Sequence, residues 1–387
     1  MNTPAKHQPN ILFLFSDTGG GHRSATEAII EALNLEYGDQ YRTEMVDIFK
    51  DYAPPPLKML PALYPRIVRA PQAWGLGYHL SDGPKRVSVL SASAWPYVRS
   101  SYRRLVREHP SDLIVSVHSL ANEPVLRALG HERPPFVTVV TDLVSVHASW
   151  YHRWVDLCIV PTEAARRRAI KSLLEPEQVR VVGLPVADQF CQPPGDVEEL
   201  RQHLGWPTDR PVVVLVGGGE GMGPLEKVVQ AISKVNLPIA LVVIAGRNKA
   251  LKAKLEANDY PMPTFVYGFV REMPDFMRAA NVLITKAGPG TITEALNAGL
   301  PMILYSHLPG QESGNIPYVV SDGAGVWAPR PDQIVGALRN WLDNTEQYDR
   351  TVDACKKLAR PNAARQIAHI LVETLEKHKR KKEFSVA

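Results

Sequence analysis

The feature that most limits the fold of this chain is an alternation of short apolar runs with helical patterns, which begins twice. The first series opens with the run Asn10–Phe15, a glycine turn at 19–21 and a helix from about Ser24. The second opens with the run Val212–Val216, which leads directly into glycines between 217 and 223. This alternation is typical of α/β proteins with parallel sheets. At 387 residues the chain is long enough for two such domains.

A Pro/Gly-rich stretch at 191–195 is the best candidate for a linker between the two series. We therefore expect an N-terminal domain over residues 1–190 and a C-terminal domain over residues 196–359. A final helix at 360–387 is expected to pack back on the first domain. Further buried strands are expected at 112–117, 136–140, 157–160, 240–244, 265–267, 282–284 and 302–305.

The apolar and cysteine content excludes several classes of protein. No apolar run approaches the roughly 18–20 residues that span a bilayer, and the N-terminal run 11–15 is too short for a signal-peptide core. The three cysteines are widely spaced and form no CxxC pair, so neither a disulfide framework nor a zinc site is indicated. These features predict a cytosolic protein.

Positive charge is concentrated between residues 50 and 110, where ten lysines and arginines stand against three acidic residues. Aromatic and aliphatic residues are interleaved with them, as on a surface that binds an anionic membrane. Arg66, Arg69 and Trp74 are the expected membrane contacts. Nucleic acid would also accept this charge, but the chain has no recognised nucleic-acid motif. Anionic lipids rather than nucleic acid are therefore the expected partner.

The segment 284–315 predicts a phosphate site. Gly288 and Gly290 form a tight turn before a helix at 291–298, and free backbone N–H groups at a helix N-terminus bind anions. Two carboxylates (Glu294, Glu312) and two amides (Gln311, Asn315) follow. They suit the hydroxyls of a ribose and a hexose. The alternative is an ordinary turn with surface polar residues.

The first glycine turn, from Asp17 to His22, lies at the end of a predicted strand, where open α/β sheets place ligands. An imidazole there could act as a general base for a hydroxyl. It could also donate a hydrogen bond to phosphate or cap the helix. Four more polar or aromatic residues follow predicted strands and are candidates for the acceptor site or for structural roles. They are His118, Asp142, His147 and Trp150.

Two glycine motifs are excluded by counting. From Gly217 and Gly219 the third position of a dinucleotide fingerprint is Met222, and Gly223 is followed by proline rather than by the lysine of a P-loop. The chain also lacks any Asp-x-Asp pair for a metal ion on a sugar diphosphate. We therefore expect no metal cofactor, with backbone N–H groups and a cation such as Arg247 neutralising the leaving phosphates.

Several segments together closely resemble the monogalactosyldiacylglycerol synthase family. They are Asp17–His22, Gly217–Gly223, Thr141–Asp142 through Asp156, Lys286–Thr291, Glu294–Ala295, Gly310–Glu312 and Gly314–Val320. This family consists of inverting glycosyltransferases related to the peptidoglycan N-acetylglucosaminyltransferase. The resemblance implies an α/β protein of the GT-B fold, in which two Rossmann-like domains face each other across a cleft. It also implies that the domain over residues 1–190 binds the acceptor and a membrane, and that the domain over residues 196–359 binds the UDP-sugar donor.

The resemblance also implies roles for individual residues. His22 is the base that activates the 3-hydroxyl of diacylglycerol. Phe269 and Val270 line the uracil pocket, and Glu294 holds the ribose. The donor site further comprises Gly20, Gly21, Gly218, Gly219, Glu220 and Arg247, the diphosphate turn Gly288, Pro289, Gly290 and Thr291, and Gln311, Glu312 and Asn315 around the hexose.

The expected function is transfer of a hexose from a UDP-hexose to diacylglycerol, with galactose favoured over glucose. The chain begins close to its first strand, which favours a bacterial enzyme attached peripherally to the cytoplasmic face of the cell membrane. The alternatives are a diacylglycerol glucosyltransferase, a peptidoglycan-type transferase, a UDP-sugar 2-epimerase and a non-catalytic scaffold that binds nucleotide sugars at a membrane.

Overall fold

The computed structural model describes residues 8–68, 70–193, 195–221 and 223–386. The chain divides into two compact units. Unit 1 comprises residues 1–188 and 362–387, and unit 2 comprises residues 189–361. Unit 1 is therefore built from both ends of the chain, whereas unit 2 is one continuous stretch.

Unit 1 is built on a parallel sheet of six strands. The strands are β1 (Asn10–Phe15), β2 (Arg42–Asp47), β3 (Leu113–Ser116), β4 (Phe136–Val139), β5 (Leu157–Val160) and β6 (Val179–Val181). Their order across the sheet is β2-β1-β3-β4-β5-β6. All residues of β3, β4 and β5 are buried. Continuous apolar runs of this kind are typical of parallel strands covered on both faces.

Six helices follow these strands in the first part of unit 1. They are α1 (Gly21–Tyr37), α2 (Leu60–Ile67), α3 (Pro71–Ser81), α4 (Pro84–Glu108), α5 (Asn122–Leu129) and α6 (Glu163–Lys171). Helix α1 begins at Gly21, three residues before the predicted start near Ser24. The reason is Gly20, whose left-handed backbone (φ 80°) ends the turn directly before the helix.

Unit 2 contains a second parallel sheet of six strands, in the order β12-β11-β10-β7-β8-β9. The strands are β7 (Val212–Val216), β8 (Ala240–Ile244), β9 (Thr264–Tyr267), β10 (Val282–Lys286), β11 (Met302–Ser306) and β12 (Gly325–Trp327). The helices are α7 (Val197–Leu204), α8 (Leu225–Ser233), α9 (Lys249–Glu256), α10 (Met273–Ala279), α11 (Pro289–Asn297), α12 (Asn315–Ser321), α13 (Pro331–Asp343) and α14 (Thr345–Leu358).

The strand order reverses once in each sheet, and open α/β sheets bind ligands at such points, outside the carboxyl ends of the strands. In unit 1 the reversal lies between β1 and β3. In unit 2 it lies between β7 and β10, so the glycine turns that follow these two strands are neighbours. Each unit therefore places a glycine turn where a ligand is expected.

The last helix of the chain, α15 (Ala363–Val386), belongs to unit 1. Its residues Ile367, Leu371 and Leu375 are buried in one hydrophobic cluster with Phe13 of β1 and Ile29 of α1. Burial of an aliphatic side chain contributes about 1.5–3 kcal/mol. The carboxyl end of the chain is therefore part of the core that supports β1 and α1.

Candidate active site

His22 lies in the first turn of α1, beside the ends of β3 and β4. Its Nδ1 is 2.8 Å from the carbonyl oxygen of Val117 and 3.0 Å from Oγ1 of Thr141. A carbonyl oxygen only accepts hydrogen bonds, so Nδ1 must carry the proton and Nε2 must hold the lone pair. No hydrogen bond to Nε2 occurs among the residues that the structure describes. The fold thus presents a neutral imidazole with a free acceptor nitrogen.

The environment of His22 keeps this imidazole neutral at physiological pH. Burial lowers the pKa of His22 to about 4, and the hydrogen bond to Val117 only partly opposes this shift. A group that must accept a proton has to be unprotonated when the substrate arrives. His22 meets that requirement over the whole physiological range.

Three of the predicted acceptor residues surround His22. The ring of His118 lies 4.5 Å from the His22 ring, and the ring of Trp150 lies 5.9 Å from it. The indole N–H of Trp150 donates to Oδ2 of Asp142 at 2.7 Å. All three residues are at most 5% exposed. The structure therefore brings His118, Asp142 and Trp150 together with His22, although their roles toward an acceptor stay predictions.

His118 has a defined proton position as well. Its Nδ1 accepts the backbone N–H of Leu120 at 3.2 Å, so its Nε2 carries the proton and donates to Oγ1 of Thr18 at 3.1 Å. Burial, followed by the proximity of His22, lowers the pKa of His118 well below its ordinary value. His118 is therefore a fixed neutral donor that packs beside His22.

Asp17 and His147, the remaining two predicted residues, form contacts with residues other than His22. Asp17 forms a bidentate pair with Arg23, at 2.6 and 2.7 Å. His147 contacts Ser81 at the end of α3 through Nε2 (3.2 Å), and Ser149 through Nδ1 (2.8 Å). In the structure His147 connects α3 to the loop before Trp150.

The diphosphate turn of unit 2 has the expected form. Gly288 precedes α11, its N–H donates to the carbonyl of Lys286 at 2.8 Å, and Pro289 occupies the first helical position. The backbone N–H groups of Gly290 and Thr291 have no partner among the described residues. Two free N–H groups and the positive end of a helix therefore point out of this turn.

The polar residues predicted around this turn occupy the same region of unit 2. A side chain at Gly290 would lie 4.0 Å from Oε1 of Glu294, and burial raises the pKa of Glu294 to about 7. Asn315 donates from Nδ2 to the carbonyl of Ala287 at 2.9 Å. Its Oδ1 is buried and has no hydrogen-bond partner in the described part of the chain. Gln311 is half-buried and directly precedes Glu312, which is buried. Leaving the buried Oδ1 of Asn315 without a hydrogen-bond donor costs free energy, which fits a position where a bound ligand supplies the donor.

Arg247 and Phe269 form a second group at the ends of β8 and β9. The Arg247 guanidinium lies 4.5 Å above the Phe269 ring and donates to Glu220 at 2.8 Å. Phe269 is 55% exposed, and Val270 beside it is half-buried. An exposed aromatic ring can stack against a nucleobase, as expected of Phe269 in the uracil pocket. The pair of Arg247 with Glu220 is largely exposed and contributes little to stability.

The glycine turns after β7 and β8 are interlocked. Gly246 has φ 57°, and a Cβ there would lie 2.4 Å from the carbonyl oxygen of Gly219. The backbone N–H of Arg247 donates to the same oxygen at 2.9 Å. The position of Gly218 and Gly219 therefore depends on the absence of a side chain at Gly246.

Gly246→Ala is accordingly expected to lower the free energy of unfolding by at least about 2 kcal/mol, from backbone strain and the clash. Chemical denaturation would measure the loss. Gly336→Ala in α13 is the matched control, since a Cβ there meets nothing within 4 Å and gains about 0.5–1 kcal/mol in a helix. Equal stability of both variants would contradict the interlocked arrangement.

Two residues, one beside His22 in unit 1 and one beside Glu312 in unit 2, were given no role by the sequence analysis. Thr141 contacts His22, and Lys286 donates from Nζ to Oε1 of Glu312 at 2.6 Å. Lys286 is the last residue of β10, directly before the glycine turn. A cation at that position is the signal that could have identified it.

The expected membrane segment covers α2, α3 and α4. Arg66 is exposed, whereas Trp74 is half-buried and packs edge-on against Tyr64 at 5.6 Å. Arg69 lies outside the described residues. Four aliphatic side chains of α3 and α4, on either side of the α3–α4 connection, are more than half exposed. They are Leu76 (62%), Leu80 (64%), Val89 (69%) and Leu90 (53%).

The described residues contain neither a membrane-spanning helix nor a cluster of metal ligands. None of the helices there is both long enough and apolar enough to cross a bilayer. No group of three His, Cys, Asp or Glu side chains in residues 8–68, 70–193, 195–221 and 223–386 could hold a metal ion.

Comparison with known proteins gives concordant family matches. Residues 22–186 match the model of monogalactosyldiacylglycerol (MGDG) synthase, and residues 196–358 match that of glycosyl transferases group 1. Probable monogalactosyldiacylglycerol synthase 2, chloroplastic, from Oryza sativa subsp. japonica is 40% identical over 368 residues, which cover 92% of this chain and 78% of the relative. Monogalactosyldiacylglycerol synthase 2, chloroplastic, from Arabidopsis thaliana is 39% identical, covering 96% and 82%. The crystal structure of Acinetobacter baumannii MurG matches with a TM-score of 0.62 at 15% identity, covering 94% and 99%.

These findings confirm the predicted family and correct one prediction. The two parallel sheets and the likeness to MurG confirm the GT-B fold, and the family matches confirm a hexosyltransferase. The predicted location at the cytoplasmic face of a bacterial cell membrane is wrong, because the curated relatives are named as chloroplastic enzymes. From its sequence, its fold and its relatives, the chain belongs to the monogalactosyldiacylglycerol synthase family.

Proposed function

We propose that this protein transfers galactose from UDP-galactose to the 3-hydroxyl of 1,2-diacylglycerol and forms a β-linked monogalactosyldiacylglycerol. The family membership supports the reaction class. The observation that carries the proposed mechanism is the proton position of His22. With Nδ1 donating to Val117, Nε2 is a neutral base.

The base acts on the acceptor. As the 3-hydroxyl oxygen attacks the anomeric carbon, its proton passes to Nε2 of His22, and the bond from that carbon to the diphosphate oxygen breaks. Attack opposite the diphosphate converts the α-linked donor into a β-glycoside in one displacement. The partner of Nδ1 is a neutral carbonyl rather than a carboxylate, so His22 stays a weak base. Its help is then greatest when the glycosidic bond is already largely broken.

Unit 2 binds the donor in this proposal. The N–H groups of Gly290 and Thr291 receive the diphosphate, and Glu294 accepts hydrogen bonds from the ribose hydroxyls. Phe269 and Val270 contact the uracil, while Gln311, Glu312 and Asn315 contact the hexose. Helix α11 and nearby cations balance the charge of the leaving group, so no metal ion is required.

The activity experiment uses purified protein, diacylglycerol vesicles and radiolabelled UDP-galactose or UDP-glucose, with products separated by chromatography. We expect a β-galactolipid that forms equally well with EDTA present. Transfer from UDP-glucose alone would replace galactose by glucose in the proposal. With labelled UDP-N-acetylglucosamine as a third donor, transfer from it but from neither hexose donor would overturn the proposal. Loss of activity with EDTA would overturn the metal-free mechanism.

A membrane surface is the proposed partner of the α3–α4 connection, because diacylglycerol stays in the bilayer. Asp82 fixes this connection to the rest of unit 1: Oδ1 accepts from Arg168 at 2.7 Å and from the N–H of Ala148 at 2.9 Å. The connection therefore presents its aliphatic side chains on a rigid support. Exposed basic residues on α4, among them Lys85 and Arg86, add attraction to anionic lipids.

The test is a fourfold variant, in which serine replaces all four of these residues: Leu76, Leu80, Val89 and Leu90. Its binding to anionic vesicles is expected to be at least about tenfold weaker, because the aliphatic surface that inserts into the membrane is lost. Vesicle sedimentation measures binding, and calorimetry with UDP should show unchanged donor affinity. Leu35→Ser on α1 is the control, since Leu35 is 54% exposed elsewhere on unit 1. Unaltered sedimentation of the fourfold variant would exclude this surface.

A further inference from the structure

Lys286 lies between the two glycine turns at the reversal point of the unit 2 sheet. Its Cε is 3.5 Å from where a Cβ on Gly218 would be, and its Nζ is 2.9 Å from where a Cβ on Gly288 would be. Gly218 follows β7 and Gly288 follows β10, which are paired neighbours. The ammonium group thus stands beside the N-terminus of α11, where the free N–H groups begin.

The ammonium of Lys286 is held by Glu312. Nζ donates to Oε1 at 2.6 Å, and the two side chains are only 28% and 7% exposed. The second carboxylate oxygen, Oε2, accepts the backbone N–H of Leu308 at 2.7 Å. Glu312 is therefore fixed in place, and Oε1 is the oxygen that loses its partner if Lys286 moves.

We propose that Lys286 is the cation that binds the diphosphate of the donor, and that its movement from Glu312 to the diphosphate frees Oε1 for a hydroxyl of the hexose. This inference rests on the proposed donor site. The ammonium keeps a charged partner throughout, because one anion replaces another. Recognition of the diphosphate and of the sugar is thereby coupled through one side chain.

Arg247 is less suited to this role. Its guanidinium is paired with Glu220, lies above Phe269 and is 61% exposed. Lys286 is more buried, and a partly buried charge interacts more strongly with a phosphate than an exposed one. Lys286 is also next to Gly288, so any side chain at residue 288 would occupy the space of the ammonium.

Lys286→Met is expected to weaken UDP binding about 10- to 100-fold, the loss for a hydrogen bond between charged groups. UMP affinity should change much less, because the ammonium contacts the diphosphate and UMP lacks its second phosphate. Glu312→Gln should have the opposite effect on UDP: it removes the competing carboxylate, so UDP affinity rises several-fold while galactosyl transfer falls. Calorimetry with UDP and UMP measures both changes without relying on activity.

Two further variants separate binding from folding. Lys286→Met leaves the Glu312 carboxylate without its cation, so the double variant Lys286→Met/Glu312→Gln restores charge balance for a thermal unfolding comparison. Gly288→Ala keeps both charges and strains only the flexible end of Lys286. It should fold normally and bind UDP more weakly.

The outcomes distinguish this inference from the proposed function. If the unaltered protein fails to bind UDP, the proposed donor site is wrong. If the unaltered protein binds UDP and Lys286→Met binds it equally well, Lys286 is not the diphosphate cation. Unchanged or weaker UDP binding by folded Glu312→Gln would overturn the exchange of partners.

Discussion

Replacing His22 with alanine is expected to lower turnover by about 10²- to 10⁴-fold, the usual contribution of a general base. UDP affinity should stay nearly unchanged, because the residues proposed above to contact the uracil, ribose and diphosphate lie in unit 2. Initial rates with diacylglycerol vesicles measure the first quantity, and calorimetry with UDP measures the second. The expected result is therefore a loss in kcat without a loss in donor binding.

His203→Ala provides the control, since His203 is an exposed histidine on α7. The pH profile gives an independent test. Because the pKa of His22 is lowered to about 4, the acid limb due to this group should lie near pH 4 rather than near 6.5. Equal losses of turnover and UDP affinity in His22→Ala would make His22 a binding residue instead of the base.

The second large effect concerns the proposed ribose contact of Glu294. Burial raises the pKa of its carboxyl group to about 7, so the protonated form increases as the pH falls below 7. Only the ionised carboxylate accepts hydrogen bonds from two hydroxyls with both oxygens. UDP affinity is thus expected to fall as the pH decreases below 7, by at most about tenfold for each unit of pH. Calorimetry between pH 5 and 8 measures this slope.

Glu294→Gln is expected to bind UDP more weakly at pH 8 and with a smaller dependence on pH, because the amide does not titrate and only the terminal phosphate of UDP still does. A UDP analogue without the 2′- and 3′-hydroxyls should lose the same dependence with the unaltered protein. An undiminished slope in the variant would assign the titration to another group. A slope retained by the analogue would place the ribose elsewhere.

The central strands could be predicted from sequence because their apolar runs are continuous. β1, β7 and β8 have the predicted bounds. The strands β2, β6 and β12 were not predicted, and all three lie at sheet edges. Only two of the six residues of β2 are buried, so its pattern gives little signal. β6 and β12 have only three residues each, and all three edge strands are partly exposed, so that their apolar pattern is weak.

The glycine turns of the site could also be predicted, since a turn that precedes a helix is a local feature. Lys286 was given no role by the sequence analysis. Its side chain lies beside Gly218 only because β10, which carries Lys286, pairs with β7, which Gly218 follows. The tautomer of His22 likewise depends on the carbonyl of Val117, which is 95 residues away. The sequence predicts Trp74 as a membrane contact because it is an aromatic residue in a basic segment. Its packing against Tyr64 is a contact that only the structure shows.

The two-part composition of unit 1 affects the order in which the protein can mature on the ribosome. Unit 2 is continuous and precedes α15, so it can fold while the ribosome is still synthesising the end of the chain. Unit 1 must wait for Ile367, Leu371 and Leu375 before the apolar faces of β1 and α1 are covered. Premature termination near residue 361 would thus leave the imidazole-bearing half incomplete while sparing the half that is proposed to bind the nucleotide.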